Sequence, residues 1–208
     1  MRQTRLERIL GIIGSRFFVV FCVVLMGQAV VAAPLSAVMY GGQWTETDLV
    51  PIVTRQRTDY RNSNIWVLGV NRIFMYRNAF RAEGEVLAAK HTGVMKHGEV
   101  VAVGILHLGV PGTPLFLRGG EGLSVATENP SMENRRFDPL KWPWVRRSQK
   151  SSQFLNYLMF EVGFNLPTSQ PVETFLRIHH RSGIFGLMCP PTCGSNFVSY
   201  GVRMPIGL

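Results

Sequence analysis

An all-β chain closed into an eight-stranded antiparallel up-and-down barrel of the outer-membrane type is the fold class this sequence predicts, and three observations predict it. Eight runs with strand character follow one another over residues 33–208, and no convincing amphipathic helix competes with them. Their connections are alternately short and long, as in a barrel with tight turns at one end and loops at the other. Finally, residues 172–183, VETFLRIHHRSG, carry Glu173, Phe175, Arg177, His179 and Arg181 on one strand face. Thr174, Leu176, Ile178, His180 and Ser182 fall on the other face. A membrane barrel places such a charged face in its lumen and the apolar face in lipid.

The chain has 208 residues, 46% hydrophobic and 17% charged, long enough for one domain with a sizeable core and too apolar to be disordered. Of the formal charge of +9, Arg2, Arg5, Arg8 and Arg16 against Glu7 account for +3 within the first 32 residues, so nucleic acid is not the implied partner. Those residues have the layout of a secretory signal: a basic start, MRQTRLER, then an apolar run over 17–26, then GQAVVAAP. Cleavage after Ala32 puts Val30 and Ala32 at the recognised positions and keeps Pro34 away from the scissile bond. The expected division is a signal peptide over 1–32 and a barrel domain over 33–208. An uncleaved anchor helix over about 9–33 is the alternative, with Arg16 inside it. Both readings take the remainder out of the cytoplasm. Cys22 leaves with the signal, and Cys189 and Cys193, in CPPTC, are then expected to form a loop disulfide.

The predicted strands cover residues 37–44, 64–76, 80–91, 99–110, 115–127, 154–166, 172–183 and 196–206. Several have the ten or so residues a tilted strand needs to cross a bilayer. Tight breaks fall at 77–79, 111–114 (PGTP) and 167–171 (PTSQP), and longer polar segments at 45–63, 92–97, 128–153 and 184–195. In the third strand Arg81, Glu83 and Glu85 share the lumen face, opposite Phe80, Ala82, Gly84, Val86 and Ala88. In the sixth, Leu158, Phe160, Val162 and Phe164 face lipid, while Tyr157 and Glu161 point inward, where Glu161 is expected to meet Arg177. A buried charge needs such a partner. In the fourth strand residues 100–110 are apolar on both faces apart from His107, and in the fifth Gly119 and Gly120 mark a place for a face-switching bulge. Those two strands do not distinguish a membrane barrel from a secreted soluble sandwich or small barrel.

In the loop over 128–153, Arg135, Arg136, Lys141, Arg146, Arg147 and Lys150 outweigh Glu128, Glu133 and Asp138, with Trp142 and Trp144 among them. Basic and aromatic residues together suit a membrane surface. Arg135, Arg136, Arg146 and Arg147 are candidates to bind the phosphates and acidic sugars of lipopolysaccharide, since guanidinium groups match such anions. A solvated loop kept soluble by its charge is the plainer reading.

With a periplasmic amino terminus, the seventh strand runs outward. At about 3.3 Å rise per residue and a tilt near 40°, the eight steps to position 180 cover about 20 Å of an apolar band about 25 Å tall. His180 and Ser182 therefore lie near the outer boundary, on the lipid side. A serine hydroxyl is a poor nucleophile until a neighbouring base accepts its proton, and residues at i and i+2 of a strand share a face. Acyl transfer to water through His180 and Ser182 is the chemistry this spacing permits; a polar rim pair is the other reading. His179 competes for the role of His180 if a bulge precedes it.

The carboxy-terminal segments FEVGFNLP, LRIHHRSGIFG and GSNFVSYGVRMPI resemble the outer-membrane lipid A 3-O-deacylases and related acyloxyacyl-hydrolase-like barrels. The resemblance covers about the last fifty residues; elsewhere only the strand pattern is shared. It implies an eight-stranded barrel in the bacterial outer membrane with a lipid-facing site, His180 as general base and Ser182 as nucleophile. It also implies lipid A as substrate and no metal or other cofactor. Where that family has an asparagine directly after the serine this chain has Gly183, and where it has a glutamate about a dozen residues further on this chain has Gly194. Asn196 is the nearby polar residue. The expected function is removal of an ester-linked acyl chain, with a non-catalytic barrel of structural or surface-binding role as the alternative. The sequence leaves the oligomeric state open.

Overall fold

The computed structural model describes residues 35–47, 49–53, 58–133, 152–184, 188–189 and 193–207. The signal expected over 1–32 lies outside the described residues. Eight strands, β1 (Leu35–Thr45), β2 (Tyr60–Arg77), β3 (Phe80–Gly93), β4 (Gly98–Gly109), β5 (Leu115–Ala126), β6 (Phe154–Asn165), β7 (Glu173–Ser182) and β8 (Gly194–Pro205), pair in chain order and close through an antiparallel β1–β8 ladder. The predicted strands match these to within a few residues. Alternating patterns of this length leave no unpaired edge only when the sheet closes, and closure satisfies every strand's backbone groups.

Three details differ from the expectation. A short helix, α1 (Leu49–Val53), occupies part of the first long segment, and β2 begins at Tyr60, before the apolar pattern does. The β3–β4 connection, residues 94–97, is as tight as the turns at the opposite end, held by the His91 amide donating to the His97 carbonyl at 2.9 Å. Lastly, no bulge interrupts β5: it keeps a continuous register with β4 and β6 through Gly119 and Gly120. Register shifts occur instead at Gln43/Thr45 and Ile73/Met75. The two-residue β2–β3 turn puts Asn78 at φ 52°, a left-handed conformation that asparagine tolerates.

The inner wall is polar and paired. Toward the short-turn end, Arg118 donates to Glu161 at 2.6 Å and Glu173 at 2.7 Å, and Arg177 donates to Glu85 at 2.8 Å and Glu161 at 2.5 Å. Arg203 bridges Glu85 at 2.6 Å and Glu173 at 2.8 Å. Arg81 approaches Glu173 at 3.6 Å. The Glu161–Arg177 pair read from strand parity is therefore present within a larger network. Isolated, each of these charges would cost several kcal/mol to bury; mutual pairing offsets that cost. A layer containing Tyr40, Tyr157, Met159, Phe175 and Phe197 packs inside the barrel as well, so the lumen is filled and is not an open pore. At the long-loop end Arg181 binds Glu133, from a 3-10 turn over Ser131–Glu133, and Glu133 also accepts from Ser195 at 2.8 Å.

The outer wall is the reverse. Trp66, Leu68, Tyr76, Val100, Leu106, Phe160, Leu176 and Tyr200 are all more than 40% exposed, and five of the eight strands contribute to that set. A soluble protein rarely exposes contiguous apolar surface on this scale. Charge inside and hydrocarbon outside is the arrangement of a membrane barrel, and it decides against the soluble sandwich.

Candidate functional site

Strand β7 pairs with β6 and β8 without a register shift, so its side-chain alternation is uninterrupted. His179 and Arg181 are buried in the lumen, while His180 and Ser182 lie on the outer wall, each half-buried. This removes the competition between the two histidines. His179 is fixed inside by the Tyr40 hydroxyl at 2.8 Å on Nδ1 and by Glu99 at 3.2 Å on Nε2.

The register also selects the neighbours of the outward pair. His180 stands opposite Leu158 on β6 and Asn196 on β8; Ser182 stands opposite Asn156 on β6 and Gly194 on β8. Nδ1 of His180 lies 2.6 Å from Oδ1 of Asn196, and Nδ2 of Asn196 donates to the Thr47 carbonyl at 2.9 Å. The second bond fixes the first. A carbonyl only accepts, so the Asn196 amide must turn its NH2 toward Thr47 and its oxygen toward the imidazole. Nδ1 of His180 is then the protonated nitrogen, and Nε2 is the basic one in the neutral ring. That is the tautomer a general base requires.

Ser182 makes no side-chain hydrogen bond among the described residues, to His180 or to any other. Directly opposed residues on one face have Cβ atoms about 4.5–5.5 Å apart, so the buried Asn156 side chain leaves β6 from the ladder position facing Ser182. The site thus combines a hydroxyl, an oriented imidazole and a neighbouring amide, the residue types of acyl transfer.

The two glycines at which the chain departs from the resembled family have structural causes. A Cβ on Gly183 would collide with Sγ of Cys189, because Cys189, which is disulfide-bonded to Cys193, packs directly on it. Gly194 has φ 131°, a conformation that L side chains rarely adopt, and a Cβ there would collide with the Arg181 carbonyl. Side chains at these two positions are therefore excluded, and the polar groups near the pair come from Asn156 and Asn196. Asn196 is noticed in the sequence only as a nearby polar residue, and Asn156 not at all. Its parity with Leu158 and Phe160 was the available signal: a polar side chain on a lipid-facing row, at the rim. Arg135, Arg136, Arg146 and Arg147 lie outside the described residues.

No family model matches the sequence, and no curated protein matches it. Among solved structures, the crystal structure of the outer membrane enzyme PagL superposes with a TM-score of 0.52 at 13% identity, covering 82% of this chain and 99% of that one. Neisserial surface protein A, NspA, gives a TM-score of 0.45 at 12% identity, covering 84% of this chain and 99% of that one. At such identities the likeness to PagL is one of fold. The chain is accordingly a closed eight-stranded antiparallel β-barrel with the architecture of an outer-membrane protein.

Proposed function

We propose that the protein is an outer-membrane esterase that removes an ester-linked acyl chain from lipid A or a related lipid. The supporting observation is the lipid-facing pair of Ser182 and His180, with the imidazole held by Asn196 in the tautomer a base needs. In this mechanism Ser182 Oγ attacks the ester carbonyl as its proton passes to His180 Nε2. Collapse of the tetrahedral intermediate returns that proton to the departing alkoxide and leaves an acyl-serine, which water cleaves by the same route in reverse roles. The Asn156 amide, from the ladder position facing Ser182, is the side-chain donor for the oxyanion. Closing the Ser182–His180 hydrogen bond takes a side-chain rotation, which substrate binding supplies; apo sites are commonly looser than their complexes. The chain reaches the outer membrane after cleavage behind Ala32, and Arg135, Arg136, Arg146 and Arg147 attract the anionic headgroup.

Replacing Ser182 by alanine and following lipid A acylation by mass spectrometry tests the reading. Cells with the wild-type chain lose an acyl group relative to an empty vector, and Ser182→Ala cells do not. Equal loss in both strains rejects Ser182 as nucleophile; no loss with either leaves a barrel of structural or surface-binding role.

A further inference from the structure

The sequence implies no metal, yet the lumen at the long-loop end holds a donor set that neither the acyl-transfer reading nor the ion-pair network uses. His91 closes the lumen face of β3, His97 sits in the tight turn, and Glu99 opens β4. The turn over 94–97 folds the two strands back so that these three side chains converge. All three are at least 97% buried. Each offers one donor atom, and the three donors lie within 4.8 Å of one another.

Two of the ring nitrogens are orphans. Nδ1 of His91 and Nε2 of His97 are buried without a hydrogen-bond partner. A buried polar atom left unpaired costs about 1–3 kcal/mol, and two in contact residues call for a ligand. The rings are stacked, with centroids 3.9 Å apart, so the second histidine is already positioned. Glu99 is likewise prepared. Its Oε2 faces His91 Nε2 at 2.7 Å, while its Oε1 accepts from Ser124 at 2.6 Å and lies 3.2 Å from His179 Nε2. Outer groups that hold a ligating carboxylate in this way are a regular part of metal sites. The neighbouring cation, Arg181, stands 3.5 Å from Glu99, and its charge is met by Glu133.

We infer that His91, His97 and Glu99 form a binding site for a divalent transition-metal ion, zinc being the best match, inside the barrel beneath the β3–β4 turn. Two imidazoles and one carboxylate with a fourth position open is a zinc donor set. In such a site the donors stand about 2.0–2.2 Å from the ion. The ion would tie the turn to β3 and β4. The site faces the lumen, so it takes no part in chemistry on the outer wall.

The test uses the folded, tag-free full-length barrel in detergent, titrated with Zn²⁺ by calorimetry and with Co²⁺ by visible absorption. One equivalent of either ion binds, and Co²⁺ gives the intense bands of a tetrahedral site. His97→Ala, a change in a turn outside the strands, keeps heat-modifiable migration and weakens binding at least tenfold. Ser124→Ala weakens it about tenfold to a hundredfold through Glu99. His107→Ala, away from the three donors, leaves it unchanged. Absence of saturable binding to the folded barrel overturns the inference, as does equal affinity in wild type and His97→Ala.

Discussion

The two faces of β7 differ in how completely their polar groups are satisfied. Inward, Glu173, Arg177, His179 and Arg181 are each bonded by partners from other strands or from the 131–133 turn. Outward, His180 is oriented through Asn196, and Ser182 is bonded to nothing described. The difference teaches where rigidity and reactivity are divided in this molecule. Saturated ion pairs fix the strand, while the hydroxyl on the other side of the same backbone keeps its hydrogen-bonding capacity, as the proposed acyl transfer requires.

Four substitutions break or sharpen that contrast, in falling order of effect. Ser182→Ala removes the proposed nucleophile and is expected to lower turnover by about 10⁴-fold or more, measured as acyl release from lipid A in mixed micelles, with the folded band on an unboiled gel unchanged. On the inner face, Arg177→Met leaves Glu85 and Glu161 short of a partner and should cost about 3–5 kcal/mol, read from urea unfolding in detergent. Asn156→Ala should reduce kcat by about 10²-fold with little change in KM, the behaviour of a group that acts on the oxyanion and not on the bound lipid.

Asn196→Asp is the subtlest. A carboxylate beside Nδ1 favours the imidazolium over the neutral ring. Since the base must start neutral, the acid limb of the pH–rate profile moves to higher pH, by about one unit, while the stronger orienting group raises the plateau rate. A profile that does not move would show that Asn196 does not address the imidazole.

Much of this architecture is legible in the sequence because a strand's period is two and a barrel has only two faces. The alternation in β3, β6 and β7 identifies lumen and lipid sides, including the Glu161–Arg177 pair and the outward placement of His180 and Ser182. The 100–106 stretch of β4 resists that reading for a physical reason. Val101, Val103 and Ile105 fill the interior, and Val100, Ala102 and Leu106 face out, so both rows are apolar and only register separates them. Cross-strand neighbours are invisible for the same reason. Asn156 meets Ser182, and Asn196 meets His180, through ladder positions that turn lengths and closure determine. Glu133 reads as one more charge in a long loop, but a single 3-10 turn inserts it among Arg181 and Ser195.

The packed interior has an electrical consequence. Among the described residues, arginines and glutamates that neutralise one another, packed aromatic rings and the buried Glu133 fill the inside of the cylinder. Placed across a planar bilayer, the cylinder should behave as an insulator, and whatever the protein exchanges with its surroundings must pass along its outside.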